Sequence, residues 1–353
     1  MRRSAGVRCH SVLASEYDRS MSNALTTVTS RALDPAKAAE LRATAEGATE
    51  FLKAARAPST HASYASDWRQ FSEWIEGHGL DALPADPRMV ALWISHMARA
   101  LKRKPSSIRR MLTAIGTIHR RAGHPNPCEQ EVVREEMRGI ANTLGVRPKR
   151  AAPLLIPHLE AIIAGMGDGL RAVRDRAIVL VGWSGAMRRS EVAALRVEDL
   201  TFLDKGVSVL IRRSKTDQQG AGENVALFYA TRTALCPVRA IQEWLRATAI
   251  TEGPLFLRLS SHRDAQLIAD PLSPEMVRYI VQTWTDRADV QPEQIGSVFS
   301  AHSLRAGFIT EAARNGKAEW TIAKQSRHKS ADVLRTYIRT ADAFEGNAGE
   351  GLL

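Results

Sequence analysis

A short segment, residues 145–153, divides this sequence into two parts with different patterns. It reads Gly-Val-Arg-Pro-Lys-Arg-Ala-Ala-Pro, and its proline, glycine and basic residues do not continue a helix. We therefore predict an interdomain linker there. The chain has 353 residues, which is enough for a separate core on each side of that linker.

The part before the linker, residues 36–144, has the pattern of a small all-helical domain. Its apolar residues recur at three- and four-residue steps, which places them on one buried face of each helix. Residues 1–35 show no steady period, and we expect a flexible tail; Met1 and Met21 both remain candidate starts. Predicted helix starts are Asp34–Pro35, Ser59–Thr60, Asp86–Pro87 and Pro105, with a last helix from Gln130 to Ala141.

The part after the linker, residues 154–340, reads as a second domain, mostly helical with a small antiparallel sheet. Two short apolar runs, Val207–Ile211 and Asn224–Phe228, flank a polar segment with glycine, which is typical of a hairpin. Residues 341–353 would form a C-terminal tail. The fold class is therefore mainly α. Further helices are predicted at Asp175–Gly185, Pro237–Ala247, Pro274–Ala288, His302–Asn315 and Ser330–Arg339.

The charge balance favours a polyanionic partner. The net charge is +11 and the pI about 9.9, which suits nucleic acid or an anionic membrane surface. The longest apolar stretch, Ala177–Met187, is too short to cross a bilayer. Cys9, Cys128 and Cys236 are scattered and lack zinc-ligand spacing, so we expect reduced thiols, a cytoplasmic protein and no metal.

A run of basic residues in the first domain is the strongest candidate for a nucleic-acid surface. Between Arg99 and Arg121 there are eight lysines and arginines and no acidic residue. The opposite side of the same predicted helix is apolar, so the charge is held on a fixed face that can neutralise several phosphates. The predicted contacts are Arg103, Lys104, Ser106, Ser107, Arg109, Arg110, Arg120 and Arg121, with Lys149 and Arg150 in the linker.

The second domain contains residue types that could hold one phosphodiester and attack it. His302 and Arg305 lie one helical turn apart, so both side chains can reach the same phosphate. A tyrosine can act as nucleophile because nearby arginines and a proton acceptor favour its phenolate. Each residue also has a plainer interpretation on its own, such as a surface pair for Arg188 and Glu191. The full set is Arg188, Lys215, His302, Arg305, His328 and Tyr337.

The order and local contexts of these residues resemble the tyrosine recombinase family of phage integrases and Cre-type recombinases. The resemblance extends roughly from Pro58 to Phe344, and it includes the first-domain run Leu101-Lys-Arg-Lys-Pro-Ser-Ser-Ile-Arg-Arg. Its motifs in the second domain are Ala-Met-Arg-Arg-Ser-Glu-Val at 186–192, Ser-Lys-Thr at 214–216, Ala-His-Ser-Leu-Arg-Ala-Gly at 301–307, Arg-His-Lys-Ser at 327–330 and Thr-Tyr-Ile-Arg at 336–339.

The resemblance implies a role for each catalytic residue. Arg188 and Arg305 would bind the phosphate, and His328 would donate a hydrogen bond to it. Glu191 would steady the basic groups. Lys215 would protonate the leaving 5′ oxygen, and His302 would accept the tyrosine proton or bind the phosphate. Tyr337 would be the nucleophile, while Arg189 is assigned to solvent or the DNA backbone.

The resemblance also implies an architecture and a reaction. A SAM-like core-binding domain and the catalytic domain would close around double-stranded DNA as a C-shaped clamp. Monomers would bind inverted half-sites, assemble as a homotetramer and exchange strands through a Holliday junction. The 3′-phosphotyrosyl bond conserves energy, so no cofactor is expected, and no membrane partner. Phe344, Leu352 and Leu353 would dock into a neighbouring protomer, as the family's C-terminal segment does.

Two other functions compete with this interpretation. A type IB topoisomerase uses the same chemistry to relax DNA, and a catalytically silent DNA-binding factor would share the basic surface. The target sequence, the need for accessory proteins and the direction of the natural reaction (integration, excision, dimer resolution or transposition) are left open. A bacterial or phage protein associated with the nucleoid is expected.

Overall fold

The protein, in a computed structural model, divides into two compact units, Met1–Pro148 and Lys149–Leu353. The structure describes residues 34–54, 57–145, 151–212, 222–262, 264–293, 297–328, 330 and 334–335. Among these, no helix is both long enough and apolar enough to cross a membrane. Residues 146–150 of the predicted linker lie outside the described residues, as does most of the predicted helix Ser330–Arg339. So do the predicted tails, except for Asp34 and Pro35, which the prediction placed in the tail but which cap and begin a helix.

The described residues of the first unit form helices and short turns. Prolines begin several of the helices, as expected from their fixed φ and missing N–H. Asp34 and Asp86 cap the helices that follow them, accepting from the amides of Ala36 at 3.2 Å and Arg88 at 2.8 Å. The expected Ser59–Thr60 cap is wrong, because the helix begins one residue earlier. The helices are α1 (Pro35–Ala54), α2 (Pro58–Gly77), α3 (Pro87–Arg99), α4 (Pro105–Arg121) and α5 (Glu131–Leu144).

The core of the first unit lies between α2, α3, α4 and α5. Phe71 of α2 and Trp93 of α3 are completely buried and meet edge to face, with ring centroids 5.2 Å apart. Ile108 and Ile115 present the apolar side of α4 to the same core. The predicted amphipathic character of α4 is therefore present, with its basic side chains on the opposite face.

In the part that the structure describes, the second unit is mainly helical, as predicted, and contains two small antiparallel sheets. One sheet has the order β1-β2-β3, and β4 pairs with β5. The predicted hairpin strands are present as β2 and β3, whereas β1, β4, β5, α6, α8 and α12 were not predicted. The elements are α6 (Ile156–Ala164), α7 (Leu170–Ser184), α8 (Arg189–Ala194), β1 (Leu200–Leu203), β2 (Gly206–Ile211), β3 (Glu223–Phe228), α9 (Pro237–Thr248), β4 (Leu257–Leu259), β5 (Leu267–Pro271), α10 (Pro274–Arg287), α11 (His302–Arg314) and α12 (Glu319–Ser326).

Helix α7 lies at the centre of the second unit. Residues from Ala172 to Gly182 are almost all buried, including the charged pair Arg174 and Asp175. Arg174 donates to Asp175 at 2.8 Å, and the Asp175 carboxylate also accepts from the indole of Trp284 on α10 at 2.9 Å. Because both charges are paired and hydrogen-bonded, the network can remain inside the core and tie α7 to α10.

Helix α11 packs unusually closely against the strand-like segment before α6. The amide of Leu154 donates to the carbonyl of Ser303 at 3.0 Å. A Cβ atom added at Gly307 would lie 2.0 Å from the Leu154 carbonyl oxygen, well inside contact distance. Glycine therefore permits this approach, which fixes the position of the helix that starts with His302.

Replacing Gly307 with alanine should destabilise the second unit, because the backbone at Leu154 must move. We expect a loss of about 3 kcal/mol, the upper part of the usual range for overpacking. Differential scanning calorimetry would measure it. Gly139→Ala is the matched control, since Gly139 lies in α5 with open space where an added Cβ atom would be and should tolerate the methyl group. Equal transition temperatures for wild type and Gly307→Ala would contradict the close-approach argument.

Candidate active site

A tight turn between α7 and α8 carries the first predicted arginine. Helix α7 ends at Ser184, and Ala186 in the turn has a left-handed φ of +46°. Arg188 follows two residues later, immediately before α8. Its amide donates to Glu191 Oε2 at 2.8 Å, and its guanidinium donates to Glu191 Oε1 at 2.6 Å. Glu191 therefore caps α8 and orients the Arg188 side chain at the same time.

Glu191 is not a surface residue, and it binds a second arginine that the sequence analysis missed. Its side chain is 1% exposed, and Oε2 accepts from Arg327 Nη2 at 2.6 Å. The Arg327 side chain is 2% exposed. The surface-pair interpretation of Arg188 and Glu191 is therefore wrong. The only sequence signal for Arg327 is its place directly before His328.

The Glu191 carboxylate is held in its charged form by its neighbours. Burial alone would raise its pKa, but the positive charge of Arg327, followed by the hydrogen bonds and charge of Arg188, lowers the pKa below its ordinary value. A buried carboxylate between two guanidinium groups is thus a fixed negative centre, and it holds both cations in defined positions.

Arg305 reaches the same turn from α11. This residue is 1% exposed, and its Nη1 donates to the Ala186 carbonyl at 2.8 Å. Its Nη2 lies 3.2 Å from each ring nitrogen of His328. Arg188 and Arg305 are 117 positions apart in the sequence. They lie together because Arg305 binds the Ala186 carbonyl of the turn that carries Arg188.

The hydrogen bonds of His328 assign its tautomer. The Ser326 hydroxyl donates to the Ile322 carbonyl at 2.6 Å, so it accepts from His328 Nδ1, which lies 2.8 Å away. Nε2 then carries the lone pair that accepts from Arg305. Burial, followed by the positive charges of Arg305 and Arg188, lowers the pKa of His328 to about 3. The ring is therefore neutral around pH 7.

His302 is the first residue of α11 and its side chain is exposed. Even so, partial loss of hydration, followed by the positive charges of Arg305 and Arg188, lowers its pKa to about 4. Solvent screens part of these charges at an exposed ring. The direction of the shift makes His302 neutral at physiological pH, which is the form that can accept a proton.

Helix α12 is anchored beside this cluster through Gln325. Its amide donates to the Ser184 carbonyl at the end of α7 and to the Ala226 carbonyl of β3, each at 3.0 Å. The segment that carries Arg327 and His328 is thus tied to the turn of Arg188 and to the hairpin strand β3. The predicted residues Arg188, Glu191, His302, Arg305 and His328 lie together, whereas Lys215 and Tyr337 lie outside the described residues.

Arg189, the neighbour of Arg188, points away from the cluster. Its side chain is 48% exposed and pairs with Glu275 of α10 at 2.7 Å. This placement is consistent with the prediction that Arg189, unlike Arg188, faces solvent or the DNA backbone. Arg189 provides a matched control for experiments on Arg188.

The basic face of α4 is exposed, but part of its charge is paired within the chain. Arg110 pairs at 2.9 Å with Asp67. Burial raises the pKa of Asp67, although the charge of Arg110 and its hydrogen bond act in the opposite direction. Arg120 lies 3.5 Å from Glu129.

The other predicted DNA contacts of the first unit differ in exposure. Lys104, Ser106 and Arg109 are exposed on or next to the first turn, and Ser107 and Arg121 are partly buried. Arg103 donates to Gln70 at 3.4 Å, and Lys149 and Arg150 lie outside the described residues.

Comparison with known proteins places the second unit in a described family. Residues 157–343 match the Phage integrase family. The integrase/recombinase xerD homolog of Selenomonas ruminantium is 35% identical over 305 residues, covering 84% of this chain and 86% of that protein. The recombinase Cre of Escherichia phage P1 is 26% identical over 293 residues, covering 79% of this chain and 83% of that protein.

A solved structure has the same fold. The XerH site-specific recombinase, in a post-cleavage complex with a palindromic difH substrate, superposes with a TM-score of 0.53. The sequence identity is 16%, and the match covers 73% of this chain and 70% of the XerH chain. At that identity the likeness concerns the fold alone.

The depressed histidine pKa values predict that acid weakens the folded second unit. In the unfolded chain a histidine takes up a proton near pH 6.5, whereas folded His328 does so only near 3. Stability should therefore fall as the pH decreases from 7 to 5. Thermal unfolding followed across this range should show less pH dependence for His328→Gln than for wild type. His262→Gln, at an exposed histidine of the same unit, is the control, and equal slopes in all three proteins would refute the argument.

Proposed function

Because the chain belongs to the phage integrase family and is a tyrosine-type site-specific recombinase, we propose that it cleaves and rejoins DNA through a 3′-phosphotyrosyl bond to Tyr337. The observation that carries the proposal is the convergence of Arg188, Arg305, His302 and His328 beside the turn at residues 185–188. Fixed guanidinium groups suit phosphoryl transfer to a phenol because they stabilise the charge on the phosphate, and a neutral imidazole can accept the phenol proton.

In the proposed reaction the Tyr337 oxygen bonds to phosphorus as the bond to the 5′ oxygen breaks. The phenol proton passes to His302, which is neutral at physiological pH and therefore has a ring-nitrogen lone pair to accept it. The leaving 5′ oxygen takes a proton from Lys215. Arg188 and Arg305 stabilise the charge on the non-bridging oxygens. Rejoining is the reverse reaction with a 5′ hydroxyl from the other duplex, and strand exchange proceeds through a Holliday junction.

For His328 to donate to the phosphate, its hydrogen bonds must change when DNA binds. Nδ1 donates to Ser326 and Nε2 accepts from Arg305, so neither nitrogen offers a proton to a phosphate. A phosphodiester anion near Arg305 would compete for the guanidinium and raise the pKa of His328. A protonated Nε2 could then donate to a non-bridging oxygen while Nδ1 keeps its bond to Ser326.

The proposed partner is double-stranded DNA with inverted half-sites, bound by a protein that is monomeric alone and tetrameric on two duplexes. An apolar groove in the second unit, with a volume of 520 Å³, supports such an assembly. The groove lies between α6, α7, β3, α11 and α12. Its lining includes Leu159, Trp183, Phe228, Tyr229 and Phe308. We assign it to the C-terminal segment of a second copy, whose sequence offers Phe344, Leu352 and Leu353.

Covalent trapping tests the proposed chemistry. Duplexes of random sequence that carry a nick would be incubated with the protein. Cleavage near the nick releases a short strand, and the loss of that strand prevents rejoining, so the covalent complex accumulates. Wild type should form complexes that survive denaturation, and sequencing the attached DNA would identify the site. On that site we expect Tyr337→Phe, Arg188→Ala and Arg305→Ala to form no covalent complex, with DNA binding largely kept. Arg189→Ala, the matched control, should cleave.

The competing functions give different outcomes in the same assay. A type IB topoisomerase would form the covalent complex and relax supercoiled plasmid without exchanging two sites. A silent DNA-binding factor would bind and give no covalent complex. An undiminished complex in Tyr337→Phe would refute the assigned nucleophile.

The basic face of α4 predicts a measurable electrostatic contribution to binding. Neutralising a phosphate releases a counterion, so each lost contact lowers the dependence of affinity on salt. We expect Arg109→Ala to weaken DNA binding and reduce the slope of log K against log salt by about 1. The slope would be measured by fluorescence anisotropy. Arg138→Ala, an exposed residue of α5 that pairs with Glu131, should leave the slope unchanged, and an unchanged slope in Arg109→Ala would rule out that contact.

A further inference from the structure

Arg327 occupies a position where its backbone is unfavourable and its side chain is buried. It follows α12 with φ +55° and ψ +44°, the left-handed region that glycine adopts most easily. A guanidinium group is also costly to bury unless it is fully engaged. Both features oppose an arginine here. The contacts of its side chain therefore indicate what offsets them.

The guanidinium of Arg327 is directed at the turn that carries Arg188. Nη1 donates to the Gly185 carbonyl at 3.1 Å, and Nη2 donates to the Ala186 carbonyl at 3.3 Å. The Ala186 carbonyl also accepts from Arg305. Two guanidinium groups from different elements thus hold one turn, immediately before Arg188.

The strongest contact of Arg327 is with Glu191. The two side chains meet at 2.6 Å, and both are almost fully buried. The same carboxylate binds Arg188 through its amide and its guanidinium. The positive charge of Arg327 is the largest single interaction that favours the charged form of Glu191, and the buried carboxylate would lose it if Arg327 were absent. It would then gain a proton more readily and hold Arg188 less firmly.

We propose that Arg327 is a positioning residue for cleavage: it keeps Glu191 charged and in place, and through Glu191 and the 185–186 turn it orients Arg188 towards the scissile phosphate. Because its charge is paired with Glu191 and both Nη atoms donate to carbonyls of the 185–186 turn, Arg327 itself is not assigned to the phosphate. The inference rests on the proposed function for its catalytic consequence, but not for its effect on Glu191.

The plainer alternative is that Arg327 only anchors the end of α12 to the rest of the unit. The two roles differ in their dependence on charge and pH. An anchor would lower stability and affect cleavage equally at every pH. A positioning residue acting through Glu191 would move the acidic limit of cleavage, because losing Arg327 raises the pKa of that carboxylate and protonation then releases Arg188 as the pH falls.

The test compares Arg327→Gly with Arg327→Lys. Glycine fits the left-handed backbone and removes the charge, whereas lysine keeps the charge. On the nicked duplex recovered by trapping, we expect Arg327→Gly to cleave about 10- to 100-fold more slowly, the usual effect of losing a group that orients another. The acidic limit of cleavage, which is the pH below which the cleavage rate falls, should be higher in Arg327→Gly than in wild type. Arg327→Lys should recover part of the rate and move that limit back towards wild type.

Two further measurements separate the outcomes. The Glu191→Gln variant has no carboxylate at this position to titrate. Adding Arg327→Gly to it should therefore reduce the cleavage rate much less than the same change does in wild type. Carbon-13 NMR of labelled glutamate carboxyl groups, with Glu191→Gln identifying the signal, should show a higher Glu191 pKa in Arg327→Gly. This reading requires no cleavage, so it stands even if wild type forms no covalent complex and the proposed function fails.

The inference is overturned if wild type cleaves while the glycine and lysine variants are equally impaired with an unmoved acidic limit. It is also overturned if the Glu191 pKa is the same in wild type and Arg327→Gly. Should the glycine variant fail to fold, as circular dichroism would show, Arg327→Met removes the same charge with more of the side-chain volume kept, and the same comparisons apply.

Discussion

The ion pair between a buried carboxylate and two guanidinium groups is the interaction on which the candidate active site depends. Arg188, Arg305 and Arg327 converge on one turn, and like charges at such proximity repel one another. Glu191 offsets part of that repulsion and fixes two of the cations. The cluster keeps an excess of positive charge, which suits a phosphodiester anion. Loss of hydration, together with this positive charge, depresses the pKa of both neighbouring histidines, so the same arrangement prepares the phosphate site and keeps His302 in the neutral form that accepts a proton.

The fold was predictable from the sequence wherever a local signal marks the start of an element. Proline and aspartate define the beginnings of several first-unit helices, and regular apolar spacing defines their buried faces. Strands β4 and β5 carry no such signal, because they are short, none of their residues is fully buried, and they pair with each other. Helix α12 was missed since its eight residues bury only Ile322 and Ser326, which is too few to produce a visible period.

Among the described residues of the candidate site, the sequence predicted which residues belong to the group but not how they are arranged. Arg305 and His302 could be placed together because both lie on one helix, and the family resemblance, now confirmed by the comparisons, supplied the rest of the set. Arg327 could not be recognised, because its function depends on a buried contact with Glu191, 136 positions away. A basic residue at a helix end looks like a solvated side chain until the fold buries it. The partial pairing of Arg110 with Asp67 was hidden for the same reason.

The most direct measurement is identification of the protein atom that carries DNA after trapping. The trapped complex would be digested with nuclease and protease and the modified peptide sequenced by mass spectrometry. Our account predicts one nucleotide adduct, joined through its 3′ phosphate to the phenol of Tyr337. The chain has five tyrosines, so the experiment can fail clearly. An adduct on Tyr17, Tyr64, Tyr229 or Tyr279, or on any other residue type, would contradict it.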